Sequence, residues 1–260
     1  MNSSVKSADR VLDILELLAS TDRALGLRDV VRILGLPKSS AHMLLGTLMG
    51  RGYLVRTSDG LFRLAPAMDQ GGWVGGIAGQ IFRAAQAQLD RLVRDQEESV
   101  VLGAPTAGLD VRLLSHRISP QAVRYDVTSM PVIPGWCTAM GQAILSRLPE
   151  GRVRAYLEGV DRVQATPRTV TDVDAIMERL ALTRMRGHAL NIDERFEGAS
   201  GAAVPICDPG GQPHAALNCV TVTPRFLRKQ GAIVAALKAA VAEIEAEVFG
   251  KARSQSELSA

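Results

Sequence analysis

The sequence predicts an α+β protein in two units. A small N-terminal unit holds three short helices and a hairpin; a larger C-terminal unit holds an antiparallel sheet flanked by helices. Three observations lead there. Apolar residues recur at helical spacing through residues 8–50 and then give way to a short Asp-Gly hairpin. From about residue 100, short β-rich runs alternate with amphipathic helices. Between the two patterns the chain is punctuated by Gly71, Gly72, Gly75, Gly76 and Gly79. A chain of 260 residues has room for two cores.

The N-terminal elements follow in order. Ala8 to Ser20 is predicted helical, with Val11, Ile14, Leu15 and Leu18 on one face. Leu27 to Leu34 is a second helix, and Gly35 suits its left-handed stop. Pro37 suits the first turn of a third helix running to about Gly50. A step of roughly 100° per residue places Ala41, Leu44, Leu45 and Leu48 on the packed face of this helix. Ser39, Met43 and Gly46 lie opposite, flanked by Ser40, His42 and Thr47. Strands 54–56 and 61–64 then flank Thr57-Ser58-Asp59-Gly60, a strong hairpin signal.

Helix, tight turn, second helix and basic hairpin in this order make a winged helix-turn-helix, with operator DNA as the expected partner. The outer face of the third helix carries small polar groups able to meet base edges in a major groove. Lys38 sits at its N-terminal end. With Arg51, Arg56 and Arg63 it gives residues 38–63 a local positive excess against one carboxylate, Asp59. The candidate DNA-binding set is Lys38, Ser39, Ser40, His42, Met43, Thr47, Arg51, Arg56 and Arg63. A solvated basic face on a small helical subdomain is the plainer alternative.

After Pro66 the glycines predict a flexible or kinked linker with a boundary near residue 76. Trp73 within it is either a dimer contact or an anchor on the second unit. Ile81 to Glu98 reads as a helix with Ile81, Ala85, Leu89 and Leu92 on one stripe. Strands are predicted at 100–104, 111–117, 188–192, 202–207 and 214–222, with 124–128 a weaker candidate. Asp208-Pro209-Gly210-Gly211 joins the last two as a hairpin. Helices are predicted at 138–147, 172–186 and 224–249, and the polar tail 251–260 as disordered.

Composition excludes several classes. Net charge is only +3, so a nucleic-acid footprint must be local. Cys137, Cys207 and Cys219 show no CxxC pairing, which fits a reducing cytoplasm better than a disulfide framework. Asp9, Arg10, Asp13 and Glu16 break the N-terminal apolar run, so it does not read as a signal peptide, and no apolar run is long enough to span a membrane. His42, His116, His188 and His214 have no metal-ligand spacing. There is no P-loop or GxGxxG after a strand, and Gly198-Ala199-Ser200-Gly201 lacks the spacing of a nucleophile elbow. No cofactor, metal or catalytic residue is expected.

Three C-terminal segments read as a ligand pocket. Gly135-Trp136 enters a helix at Thr138, where backbone N–H groups favour a carboxylate. Residues 191–201 contain Gly198 and Gly201, which permit close backbone approach. Residues 215–220 lie on the last strand.

LGLPKSSAHMLLGTLMGRGYL followed by DGLFRL closely resembles the winged helix-turn-helix of IclR-type bacterial transcription regulators, and CTAMGQAIL resembles the ATALGKALL-like stretch of their effector site. The resemblance covers nearly the whole chain. It implies a GAF-like effector-binding domain, a connecting helix between the domains, and pocket residues at Thr138, Ala139, Asn191, Gly201, Asn218 and Val220. Met43 departs from the arginine such proteins often carry there, which implies a different operator. Acid, thiol and serine groups used by some relatives at the last four pocket places are amide, glycine, amide and valine here. With Trp136 as an aromatic wall beside Cys137, this favours a larger, partly apolar carboxylate such as an aromatic acid. Trp136 and Cys219 can also be plain core.

The expected division is 1–68 for the winged helix-turn-helix, 69–98 for the linker and connecting helix, 99–250 for the GAF-like domain and 251–260 for the tail. The expected function is a cytoplasmic, ligand-responsive regulator, by default a repressor, acting as a homodimer or dimer of dimers. A thiol sensor using Cys137, or an enzyme with an appended DNA reader, are the alternatives.

Overall fold

The computed structural model describes residues 5–21, 23–51, 53–57, 59–64, 76–126 and 131–257. They fall into two compact units, Met1–Gly79 and Gln80–Ala260.

The N-terminal unit contains α1 (Lys6–Ala19), α2 (Leu27–Leu34), α3 (Lys38–Gly50), β1 (Leu54–Arg56) and β2 (Phe62–Leu64). Gly26 N donates to Asp29 Oδ2 at 3.1 Å at the start of α2, and Gly35 ends it with φ 62°, a conformation glycine adopts without a Cβ penalty. Pro37 stands at the cap just before α3, not inside its first turn. Ile14, Leu15 and Leu18 of α1, Val30 of α2, and Ala41, Leu45 and Leu48 of α3 share one core with Leu54, Phe62 and Leu64 of the hairpin. Leu25 bonds Phe62 in both directions, at 2.9 and 2.8 Å, so the wing is fastened to the segment preceding α2.

The second pattern contains α4 (Gly76–Gln96), β3 (Ser99–Pro105), β4 (Val111–Arg117), β5 (Val132–Ile133), α5 (Ala139–Leu145), α6 (Glu150–Gly159), α7 (Val173–Arg186), β6 (Ala189–Ile192), β7 (Ala199–Cys207), β8 (Pro213–Val222) and α8 (Thr223–Glu257). The six strands form one antiparallel sheet in the order β5-β4-β3-β8-β7-β6. Alternate side chains cover its two faces. Val100, Leu102, Ala202, Val204, Leu217 and Cys219 pack under the apolar stripes of α4 and α8. Val101, Val111, Ala203 and Ala216 pack under Ala139, Met140, Ala143 and Ile144 of α5. A further cluster joins Trp136 and Cys137 to α6 and α7 through Tyr156, Leu157, Ile176 and Leu180.

Several expectations are corrected. Gly76 and Gly79 lie within α4 and form no break: they fall in its first turn, and burial of Ile81, Ala85 and Leu89 outweighs their weak propensity. Gly71, Gly72, Trp73 and Gly75 lie outside the described residues. Residues 124–126 are not strand, and 127–128 are outside the described set. Helix α6 has no counterpart among the expected elements. The closing helix continues to Glu257, into the stretch expected to be a disordered tail.

Candidate DNA-reading face and ligand cavity

On α3, Lys38, Ser39, His42, Met43 and Thr47 are exposed and Ser40 is half-buried, while Ala41, Leu45 and Leu48 are buried. A Cβ at Gly46 would meet nothing within 4 Å, so this face is open to close approach. Met43 is 67% exposed, a large apolar group on an otherwise polar surface. Thr47 Oγ1 donates back to Met43 O at 2.9 Å and retains its lone pairs as acceptors. Arg51 is exposed just beyond the helix end. In the wing, Arg56 Nε donates to Gly60 O at 3.0 Å and its guanidinium lies 5.6 Å from the Phe62 ring centroid. Arg63 is the exposed residue between buried Phe62 and Leu64.

In the C-terminal unit a mostly apolar cavity lies between α5 and the sheet. Its empty volume is about 640 Å³, counting the part open to solvent. Thr138, Ala139, Asn191, Gly201, Asn218 and Val220 all line it. Gly201 is required by close approach, since a Cβ there would sit 2.7 Å from Cys219 O.

Trp136 and Cys137 do not line it. Both are buried in the α6–α7 cluster on the far side of the 134–138 loop. The reason is the route of that loop. Gly135 N donates to Asp110 Oδ1 at 3.1 Å, Tyr156 Oη donates to the same oxygen at 3.0 Å, and Gly141 lies against the backbone of Gly135. Burial, followed by the adjacent Asp110 carboxylate, pushes the Tyr156 hydroxyl well above its ordinary range.

The aromatic wall is instead Tyr125 and Phe196, with ring centroids 5.9 Å apart. Arg195 also lines the cavity, its guanidinium 5.2 Å from the Phe196 centroid. Arg195 and Phe196 stand within the 191–201 segment, so a basic residue beside an aromatic was available there as a signal. Tyr125 was hidden by its reading as a strand residue.

Three polar groups of the lining are committed to the fold. Asn191 Nδ2 donates to Cys137 O at 2.8 Å. Thr138 Oγ1 donates to Pro134 O at 2.7 Å and accepts from Gly141 N at 3.3 Å, capping α5. Ser200 Oγ shares a 2.8 Å hydrogen bond with Thr223 Oγ1. Asn218 Oδ1, by contrast, is buried with no partner among the described residues. Leaving a buried acceptor unsatisfied costs roughly 1–3 kcal/mol.

Burial raises the Cys137 thiol to about 11, so almost none of it is thiolate at neutral pH. With the thiol only 1% exposed, redox sensing through Cys137 is not supported. Alkylation of the native protein by iodoacetamide should accordingly be negligible at Cys137 and rise on unfolding, as peptide mass mapping would reveal.

Residues 7–58 match the IclR helix-turn-helix domain and residues 78–246 the bacterial transcriptional regulator IclR C-terminal domain. The chain belongs to the IclR family of bacterial transcriptional regulators. The HTH-type transcriptional regulator XynR of Escherichia coli (strain K12) is 30% identical over 226 residues, covering 85% of this chain and 88% of that protein. The glycerol operon regulatory protein of Streptomyces coelicolor is 31% identical over 230 residues, covering 88% and 89%. The Thermotoga maritima IclR crystal structure shares the fold, with TM-score 0.63 at 22% identity, covering 94% of this chain and 98% of that one. An IclR homologue from Microbacterium hydrocarbonoxydans, crystallised with 4-hydroxybenzoate, gives TM-score 0.62 at 25% identity, covering 93% and 98%. This IclR-family chain is thus a transcription regulator with a helix-turn-helix domain. Among the described residues no helix is long and apolar enough to cross a membrane.

Proposed function

We propose that this regulator holds operator DNA through Lys38 to Thr47 of α3 and the wing arginines, and that an aromatic carboxylate in the C-terminal cavity shifts it between DNA-competent and incompetent forms. The observation carrying the reading is the cavity itself: it is mostly apolar, walled by Tyr125 and Phe196, and lined by the six residues that the resemblance to the family assigns to an effector site. The relative crystallised with 4-hydroxybenzoate supports the same ligand class. The protein acts in the cytoplasm as a homodimer or dimer of dimers and represses by occupying its operator. Two symmetric reading helices then require half-sites about 34–36 Å apart or multiples of that spacing. Residues 1–68 are the DNA-binding domain, 69–98 the linker and connecting helix, and 99–250 the effector domain. The effector is bound and released unchanged; it acts only by differential affinity for the two forms.

Two substitutions test the DNA half of this reading. Lys38→Ala and Arg63→Ala should each weaken binding to all DNA alike and lower the slope of log K against log salt by about 1. An unchanged slope would place the phosphate contacts elsewhere. His42→Ala should instead alter preference at a single base pair by about 1–3 kcal/mol, read by competition among operator variants. Equal losses on operator and random DNA would remove His42 from base reading.

A further inference from the structure

We infer that Arg195 is the counter-ion of the effector's carboxylate, and that Asn218 accepts a hydrogen bond from a hydroxyl or amino group on the same molecule. The cavity thereby selects hydroxy- or amino-substituted aromatic acids over the unsubstituted acids. This inference rests on the effector reading above and adds the two groups that decide which acid fits.

Thr138 caps α5, Asn191 holds Cys137 O and Ser200 pairs with Thr223. Arg195 and Asn218 remain, beside the neutral Tyr125 hydroxyl. Among the described residues Arg195 forms no ion pair, whereas its neighbour Glu194 is taken by Arg179. Arg195 Nε is buried with no hydrogen-bond partner. The guanidinium lies 5.2 Å from the Phe196 ring centroid, a contact that does not neutralise its charge. Its field also reaches inward: it counteracts the upward push of burial on both the Tyr125 hydroxyl and the Cys137 thiol. A cation turned toward a mostly apolar cavity, with no carboxylate of its own, calls for an acid in that cavity.

Asn218 is the second group. It is 7% exposed, and its Oδ1 has no partner. It lies in the middle of the sheet, on β8 opposite Val101 of β3 and Ala203 of β7. Arg195 lies instead on the turn between β6 and β7, next to Phe196, which is 39% exposed. The two polar groups thus reach the cavity from different parts of the fold, Arg195 from the β6–β7 turn and Asn218 from the middle of the sheet. Apolar Val101, Leu113, Ile133 and Met140 line the same cavity. The complementary molecule has an acid at one end, an apolar ring between, and a hydrogen-bond donor at the other end. A donor-bearing acid would relieve the standing cost of Asn218 Oδ1, which is already buried and unpaired, whereas an unsubstituted acid gains nothing there.

The test is direct calorimetric titration of the full chain with benzoate, 3-hydroxybenzoate, 4-hydroxybenzoate and 4-methoxybenzoate. At least one hydroxybenzoate should bind on the order of tenfold or more tighter than benzoate, with the methoxy compound no better than benzoate. Arg195→Met should weaken every acid by about 10–100-fold, and Arg195→Lys should recover part of the loss. Asn218→Leu should reduce the hydroxybenzoate-to-benzoate preference to within about threefold. Wild-type protein binding all the acids equally would overturn this inference alone, whatever the variants do. An unchanged affinity in folded Arg195→Met would do the same for the counter-ion. Failure of wild-type protein to bind any of the acids would overturn the effector reading and this inference with it.

Discussion

Glu98→Ala is expected to destabilise the C-terminal unit by about 3–5 kcal/mol. Glu98 is 0% exposed, just after α4 and directly before β3. Arg225 of α8 meets it with two hydrogen bonds, Nε at 2.8 Å and a terminal nitrogen at 3.0 Å. Lys229 lies 3.4 Å away and donates at 2.8 Å to Gln96 O, at the end of α4. Removing the carboxylate leaves two partly buried cations without their shared counter-charge, which costs far more than the net worth of the ion pair. The double variant Glu98→Met/Arg225→Met should therefore recover much of the loss, because it removes a buried charge from each side. Urea denaturation of the three proteins measures this. A loss below about 1 kcal/mol for Glu98→Ala would mean that the cluster is effectively solvated.

The same residue sets a pH dependence. Burial alone raises the Glu98 carboxyl, but the Arg225 hydrogen bonds and the charges of Arg225 and Lys229 outweigh it and hold the group below its ordinary value near 4.5. A folded-state value below the unfolded one contributes stability that is fully present above about pH 4.5 and is lost as pH falls through the folded value. The denaturation midpoint of wild-type protein should drop across that acidic window more steeply than that of the Met/Met variant.

The second large effect is expected at Gly141. A Cβ there would lie 2.0 Å from Gly135 O and 2.3 Å from Gly135 Cα, so the clash is with backbone. Gly135 cannot retreat freely, since its own N–H is held by Asp110 Oδ1 and Leu109 O fills the space where a Cβ would stand. Gly141→Ala should cost about 3 kcal/mol through overpacking and displace α5 from the loop carrying Thr138. Aromatic-acid binding should be lost together with stability, whereas Gly46→Ala on the open face of α3 should cost no stability and may be compared directly by thermal denaturation.

The elements with local signatures were legible in the sequence. Helix α2 has the expected bounds because an apolar 3.6-residue period ends at a glycine that can take positive φ. The β7–β8 hairpin was marked by Asp208-Pro209-Gly210-Gly211, and the wing by Asp59-Gly60. Helix α6 was missed because its apolar positions, Val153, Tyr156 and Leu157, give only a short stripe bounded by glycines.

Site residues divide along the same line. Strand positions such as Asn218 and Val220 have their facing fixed by alternation, and both line the cavity. Trp136 stands in a loop, where no period fixes direction, and it turned toward α6 and α7. Arg195 and Tyr125 reach the cavity from loops distant in sequence; the Arg195-Phe196 pair is a local signal within 191–201, but nothing local to Tyr125 announces that the two meet. Glu98, Arg225 and Lys229 are likewise three polar residues whose common position only the fold creates.

Operator binding and recognition of an aromatic acid are proposed to be joined in this one chain. Fluorescence anisotropy of the purified protein on the DNA upstream of its own gene, with and without a panel of aliphatic and aromatic acids, tests this most directly. The account predicts salt-sensitive binding tighter than to random DNA, changed by about 5–150-fold by an aromatic acid and by less with aliphatic ones. Operator binding that no aromatic acid alters would contradict it.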